Sequence, residues 1–127
     1  MYKIETLANH MLVEFEDNFG YNAIRAVLQH QTQMPEYNRL HDIWMIGKHH
    51  SRVRLGELLS IVDDFTCLCP SNADRKKIAI VVNRGATEAT IRLLAKGVNR
   101  LLRFECCVFH SLNEAEEWLE VTVAEIA

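Results

Sequence analysis

The sequence lacks the features that mark several large classes of protein. No apolar run approaches the roughly 20 residues that a membrane-spanning helix needs, and residues Met1 to Glu5 lack the long apolar core of a secretion signal. There is also no glycine-rich phosphate-binding loop, internal repeat, low-complexity tract or interdomain linker. These absences predict a cytoplasmic protein that does not associate with membranes.

An excess of positive charge is also missing. The 14 basic and 17 acidic residues give a formal net charge of -3 at pH 7. Proteins that bind nucleic acids through bulk phosphate neutralisation carry a basic excess instead. We therefore expect no nucleic-acid partner, and any recognition by basic residues must be local.

The cysteines occur in a pattern that does not favour disulfides. The four cysteines are Cys67 and Cys69, which are separated by one residue, and the adjacent pair Cys106 and Cys107. Neighbouring residues of a strand point to opposite faces of a sheet, and neither pair suits an ordinary structural disulfide. The spacing of Cys67 and Cys69 also differs from that of common zinc and thioredoxin-like motifs. This usage is typical of a reducing compartment, where thiols pack as small apolar side chains.

Hydrophobic periodicity predicts five strands within one domain. The 127 residues, of which 49% are hydrophobic, fit a single domain that spans residues 1–127. Two segments with strand character, joined as a hairpin, open the chain, and three further apolar segments are expected to be strands. In chain order, the predicted strands are Tyr2–Leu7, Met11–Glu16, Ile43–Ile46, Ile78–Val82 and Phe104–Phe109.

Four helices are predicted between and after these strands. The first is expected to end at Met34-Pro35, and its apolar stripe consists of Ile24, Val27, Leu28 and Gln31. The stripe of the second consists of Leu55, Leu58, Leu59, Val62 and Phe65. The third runs from about Thr87 to Leu102, with Arg92, Lys96, Asn99 and Arg103 outward. Ser111 and Glu114 have the spacing of a capping box that starts the fourth helix.

The order of these elements predicts an α/β fold. After the initial hairpin, strands and helices alternate, and such crossovers are right-handed and connect parallel strands. The expected structure is a mixed five-stranded sheet, in the order β-β-α-β-α-β-α-β-α, with helices on both faces. The hairpin supplies one antiparallel edge strand, through which two copies of the chain can pair as a homodimer.

This element order resembles that of the STAS superfamily of anti-anti-sigma-factor-like proteins, and most closely its small bacterial branch. The resemblance rests also on the strand entry Asp42 to Met45 and on the closing segment Val108 to Leu119. It implies a regulated docking module, and relatives in the superfamily sometimes bind nucleotides or lipids. In its signalling members, a partner kinase phosphorylates a serine at the start of the second helix. The matching residue is Ser51, preceded by His50 where the superfamily has an aspartate.

The sequence predicts a binding surface at the carboxyl ends of the strands. In open α/β sheets, ligands meet this edge, where loops lead into helix amino termini that favour anions. The candidate residues for binding a partner or ligand are Lys48, His49, His50, Ser51, Arg52, Asn83, Arg84 and Thr87. Their basic side chains indicate an acidic protein partner or a small anionic ligand.

Each component of this surface also has a structural interpretation. Ser51 has the character of a helix cap, and Asn83 to Gly85 that of a turn. His49, His50 and His110 could ligate a metal, but they lack a recognised ligand spacing, so no metal or cofactor is expected. The third helix also carries a basic stripe, which is interpreted as its solvated side and consists of Arg92, Lys96, Arg100 and Arg103.

The leading hypothesis is a non-enzymatic regulatory interaction module. Its partner would be a regulatory kinase or another signalling protein, and Ser51 is the candidate phosphorylation site. The alternatives are a carrier of an apolar or nucleotide ligand and a small metal-dependent enzyme.

Overall fold

The described residues form a sheet flanked by helices. The computed structural model describes residues 2–16, 19–47, 53–69, 76–83, 86–101 and 104–126. The strands in these ranges are β1 (Tyr2–Thr6), β2 (His10–Phe15), β3 (His41–Gly47), β4 (Lys77–Val82) and β5 (Glu105–Phe109). The helices are α1 (Tyr21–Gln31), α2 (Leu58–Leu68), α3 (Ala86–Leu101) and α4 (Leu112–Ile126). The predicted α/β class and element order are confirmed.

The strands lie in the sheet in the same order as in the chain, from β1 to β5. β1 is antiparallel to β2, with Tyr2 opposite Phe15, and all other neighbouring strands are parallel. Right-handed crossovers that all move in one direction across a sheet place their helices on one face. Accordingly, α1, α2 and α3 share one face of the sheet, and α4 covers the other.

Alternation along the strands divides the buried side chains between two cores. Ile78, Ile80 and Val82 of β4 belong to the larger core beneath α1, α2 and α3. Ala79 and Val81 of the same strand belong to the smaller core beneath α4. This division explains why the β4 segment reads as an uninterrupted apolar run, since both faces of the strand are covered.

A fully buried tryptophan lies at the centre of the larger core. The Trp44 ring centroid lies 5.6 Å from that of Phe15 and 6.0 Å from that of Phe65. Phe65 in turn contacts Phe104, with 5.9 Å between the ring centroids. These aromatic contacts join β2, β3 and α2, and they extend to the residue that immediately precedes β5.

The first helix ends earlier than predicted. All four stripe residues of α1 are buried, as expected, but the helix stops at Gln31 rather than at Met34. Thr32 Oγ1 donates a hydrogen bond to the Leu28 carbonyl at 2.7 Å, and Met34 N–H bonds the Gln31 carbonyl at 2.9 Å. The chain therefore continues through tighter turns before it reaches the proline.

The predicted stripe of the second helix is wrong at one position. Leu59 is 70% exposed, whereas Ile61 is fully buried. A stripe through Leu58, Ile61, Val62 and Phe65 follows the spacing i, i+3, i+4, i+7. Leu59 lies one residue off that stripe and points outward.

Candidate docking surface

The two segments proposed from the sequence follow strands that end side by side. Gly47, the last residue of β3, is paired with Val82, the last residue of β4. Because these strands are parallel, they end at the same edge of the sheet. Asn83 directly follows β4 at this edge and is exposed.

Most of the other predicted site residues lie outside the described part of the chain. These residues are Lys48, His49, His50, Ser51, Arg52 and Arg84. Thr87 belongs to the first turn of α3, and its side chain also lies outside the described part.

The start of the second helix corrects the interpretation of Ser51 as its cap. Helical structure begins with a short 3-10 helix, Leu55–Glu57, which leads into α2. Glu57 Oε1 accepts a hydrogen bond from the Arg54 N–H at 2.9 Å. This contact from the Glu57 side chain to the Arg54 N–H is that of a capping box at the start of the 3-10 helix, four residues before α2.

A charged cluster lies at the same edge of the sheet, where β5 ends and α3 begins. His110, the residue after β5, donates from Nε2 to Glu88 Oε1 at 2.5 Å. Arg92, one turn along α3, donates to the same oxygen from Nη2 at 2.8 Å and from Nε at 3.2 Å. Glu88 thus connects α3 to the carboxyl end of β5.

These two donors stabilise the ionised form of Glu88. The hydrogen bond from His110, followed by that from Arg92, lowers the pKa of the Glu88 carboxyl below its ordinary value. The Arg92 side chain is half exposed, so its ion pair contributes little to stability. The cluster therefore sets the local charge and holds the imidazole of His110 in a fixed orientation.

A groove of about 380 Å³ runs from this cluster along the outer edge of β5. Its lining residues are Arg92, Ala95, Lys96 and Asn99 from α3, Cys106–Phe109 from β5, and Trp118 from α4. Two of these side chains are cationic, and none is acidic. The groove lies between α3 and α4, which cover opposite faces of the sheet.

The two walls of the groove differ in chemistry. On the α3 side, Arg92 and Lys96 are exposed. On the α4 side, the rings of Phe109 and Trp118 pack together with centroids 5.5 Å apart. Lys77 Nζ lies 4.8 Å from the centre of the Trp118 ring, a cation–π contact that holds this ring in place.

Asn99 binds the backbone of β5 as a neighbouring strand would. Its Oδ1 accepts a hydrogen bond from the Cys106 N–H at 2.5 Å, and its Nδ2 donates to the Cys106 carbonyl at 2.8 Å. A side-chain amide carries one acceptor and two donors, so it can satisfy both backbone groups of one residue. Asn99 therefore protects one position of the exposed sheet edge.

A second polar cluster lies at the opposite edge of the sheet, where β3 and β4 begin. Lys76 Nζ lies 3.2 Å from Asp42 Oδ1, and both side chains are buried. Lys76 also donates to the Tyr37 carbonyl at 2.8 Å, and its Nζ lies 3.1 Å from the centre of the Tyr37 ring. This lysine therefore has three partners inside the protein.

Burial dominates the protonation of this second cluster. Desolvation raises the pKa of Asp42 and lowers that of Lys76, while their mutual attraction opposes both shifts. The Tyr37 hydroxyl and the Cys69 thiol lie 3.0 Å apart, and burial raises the pKa of each. These groups are enclosed, so we assign them a structural role.

The four cysteines are unlinked. Cys106 is buried on the face of α3, and Cys107 lies on the opposite side of β5. Burial raises the pKa of the Cys106 thiol, so this cysteine behaves as a core residue.

Three general properties of the chain bear on its function. Among the described residues, no three His, Cys, Asp or Glu side chains converge as metal ligands. In the same part of the chain, no helix is both long and apolar enough to cross a bilayer. Comparison with protein-family models, curated proteins and solved structures finds no significant match.

The sequence indicated some members of the groove but not their arrangement. Arg92, Lys96 and Asn99 were expected to be outward on the third helix, and they are exposed. The pairing of Glu88 with His110 and of Asn99 with Cys106 was not predicted. The spacing of Glu88 and Arg92, four residues apart, is a signal for an ion pair, but His110 meets Glu88 only through the β4–α3–β5 crossover.

Proposed function

We propose that the protein is a non-enzymatic regulatory interaction module that docks another protein through the carboxyl-terminal edge of its sheet. The pairing of Gly47 with Val82 carries this proposal, since it brings the ends of β3 and β4 together. The two basic candidate segments, residues 48–52 and 83–87, continue from these adjacent strand ends. A partner with an acidic surface would complement them.

The proposed regulation is phosphorylation of Ser51 by a partner kinase. A phosphate adds nearly two negative charges and three acceptor oxygens to a segment that contains Lys48 and Arg52. It would neutralise these cations and weaken the attraction to an acidic partner. We propose that the protein acts in the cytoplasm, where its four cysteines remain reduced thiols.

Phosphopeptide mass spectrometry of the protein purified from its host tests this regulation. We expect phosphate on Ser51, and a pull-down in which Ser51→Asp retains less partner than Ser51→Ala. The matched control is Ser60→Ala, because Ser60 is an exposed serine on α2. Identical partners for all variants, together with an unmodified Ser51, would contradict phosphorylation control.

Charge reversal tests the docking edge independently of phosphorylation. The double variant Lys48→Glu with Arg52→Glu should lose the acidic partner. Arg25→Glu on α1 serves as a control for a change of net charge, since Arg25 is exposed and belongs to a different element. A partner that remains bound to the double variant would contradict docking through this edge.

The second candidate function is to bind a small anionic or apolar ligand. The groove of about 380 Å³ falls within the range of roughly 300 to 1,000 Å³ seen for ligand sites. It combines two cations with the Phe109 and Trp118 rings. Native mass spectrometry of freshly purified protein should then show an added ligand mass, and a bare protein that binds neither nucleotide nor lipid would contradict this function.

A further inference from the structure

The backbone of β5 is open on the side of the groove. β5 is the last strand of the sheet, and Glu105 N–H bonds the Lys76 carbonyl toward β4 at 3.0 Å. The next residue, Cys106, directs both backbone groups the other way, to Asn99. Residues two apart in a strand repeat their orientation, so Val108 directs its N–H and carbonyl into the groove.

A strand added at this edge would meet two different walls. Side chains of a strand alternate between the faces of its sheet. On one face of an added strand they would meet Lys96 and Arg92, of which Arg92 is already paired with Glu88, and on the other Phe109 and Trp118. Acidic residues complement the first wall and apolar residues the second.

We infer that the groove binds an extended segment of a partner protein in which acidic and apolar residues alternate. The segment would pair with β5 from Val108 onward, since Asn99 already occupies Cys106. This inference rests on the proposed docking function and specifies the chemistry of the partner. It describes β-strand addition, in which main-chain hydrogen bonds give affinity and alternate side chains give specificity.

The length of the groove limits the segment. The lining stretch Cys106–Phe109 has four residues, or about 13 Å at ~3.3 Å per residue. A segment of about seven residues covers this stretch with a margin at each end. Because the main-chain pairing is so short, most of the discrimination must come from the two walls.

A second copy of this chain does not fit the groove well. Pairing of two β5 strands about a two-fold axis perpendicular to the sheet would place α3 beside α3. Arg92 and Lys96 of one copy would then approach the same cations of the other, which is unfavourable.

Pairing of β5 with the β1 edge of another copy would supply Lys3 and Glu5 on one face and Ile4 on the other. Ile4 packs with the α1–α3 face and would therefore meet the cationic wall.

Peptide binding to the whole protein tests the inference. The probe is a fluorescein-labelled peptide, Glu-Ile-Asp-Val-Glu-Ile-Asp, and the control peptide has the same composition in blocks, Ile-Ile-Val-Glu-Glu-Asp-Asp. We expect the alternating peptide to bind more tightly in fluorescence anisotropy. In NMR spectra, it should shift the amide signals of residues 106–109 and protect the Val108 amide from exchange.

Two variants separate the walls from the backbone. Lys96→Glu should weaken binding by about fivefold, since an exposed charge pair is worth up to about 1 kcal/mol. Arg100→Glu changes a cation outside the groove lining and should have little effect. Val108→Pro removes the outward N–H without removing a bond to β4 and should abolish binding. Val108→Ala keeps the N–H and controls for lost packing. Circular dichroism checks that each variant is folded. If Val108→Pro does not fold, Lys96→Glu alone decides whether the groove binds the peptide.

The outcomes distinguish the groove from the docking function as a whole. The inference would be overturned if both peptides bound the wild-type protein equally tightly. It would also be overturned if the alternating peptide bound Lys96→Glu as tightly as the wild type. If the peptide does not bind, while the double variant Lys48→Glu with Arg52→Glu still loses a partner, only the proposed binding of a segment in the groove is overturned. Failure of both experiments would overturn the docking function too. A dimer that Val108→Pro disrupts would identify a second copy as the occupant and overturn the proposed partner chemistry.

Discussion

The ion pairs at the two ends of the parallel strands differ in how deeply they are buried. At the amino ends, Asp42 and Lys76 are 1% and 4% exposed, and Lys76 has its partners inside the protein. At the carboxyl ends, the Glu88 and Arg92 side chains are 19% and 50% exposed. The buried pair holds the chain before β4 against β3, whereas the Glu88–Arg92 pair is partly open to solvent. Burial, rather than charge alone, therefore separates the structural cluster from the candidate docking surface.

The largest effect should follow from breaking the buried pair. Asp42→Asn leaves the buried Lys76 without its counter-charge, and removal of one partner from a buried pair costs about 3–5 kcal/mol of unfolding free energy. Urea denaturation measures this loss. The double variant Asp42→Asn with Lys76→Met should be more stable than the single variant, because it removes the unpaired charge. A single variant as stable as the wild type would show that the pair does not hold this edge.

Removal of the Asn99 amide should have a smaller effect on stability and a distinct effect on assembly. Asn99→Ala leaves both backbone groups of Cys106 without their partner and should cost about 1–3 kcal/mol, partly offset by the higher helix propensity of alanine. The freed edge should also promote self-association, which size-exclusion chromatography detects. Lys96→Ala is the matched control on the exposed side of α3. Equal stability and an unchanged elution volume would contradict the edge-protecting role.

The smallest effect concerns the pH response of the two carboxylates. The Glu88 carboxyl should titrate below its ordinary 4.5 and that of Asp42 above its ordinary 3.8. A depressed folded-state pKa means that the stabilisation by Glu88 is complete above about 4.5 and is lost as the pH falls through the folded value. The raised pKa of Asp42 has the opposite sign, so its contribution is complete below about 3.8 and decreases as the pH rises through the raised folded value.

Carboxyl NMR shifts recorded during acid titration measure both directions. His110→Ala removes the first donor to Glu88 and should raise the pKa of Glu88 toward its ordinary value, while leaving Asp42 unchanged. A Glu88 carboxyl that titrates at its ordinary 4.5 in the wild-type protein would contradict the bond from His110.

The fold could be predicted from local patterns in the sequence. The alternating faces of β2, the apolar run of β4 and the stripes of α1 and α3 each depend on residues close in the chain. The order of these elements then determined the class, because right-handed crossovers leave few arrangements. The end of α1 was missed because the turns that follow Gln31 have no distinct composition. The exposure of Leu59 was missed because a helix stripe can be displaced by one residue with little change in the hydrophobic pattern.

The candidate surface was less predictable because its contacts join residues far apart in the sequence. His110 is 22 residues from Glu88, and Lys76 is 39 residues from Tyr37. The buried position of Lys76 has no local signal, since its neighbours Arg75 and Lys77 make it look like part of a solvated loop. The sequence did direct attention to the carboxyl ends of the strands, and most of the residues that it proposed there await the experiments above.

The strand order has a consequence for how the chain assembles. Each new strand joins the sheet beside the one made just before it, so a chain emerging from the ribosome can extend its sheet in step with synthesis. In every intermediate of this kind, the most recently added strand has unpaired backbone groups on its outer side, and the next strand pairs with them. β5 is the last arrival, and the permanent border that it leaves is closed at Cys106 by Asn99, a residue synthesised before it.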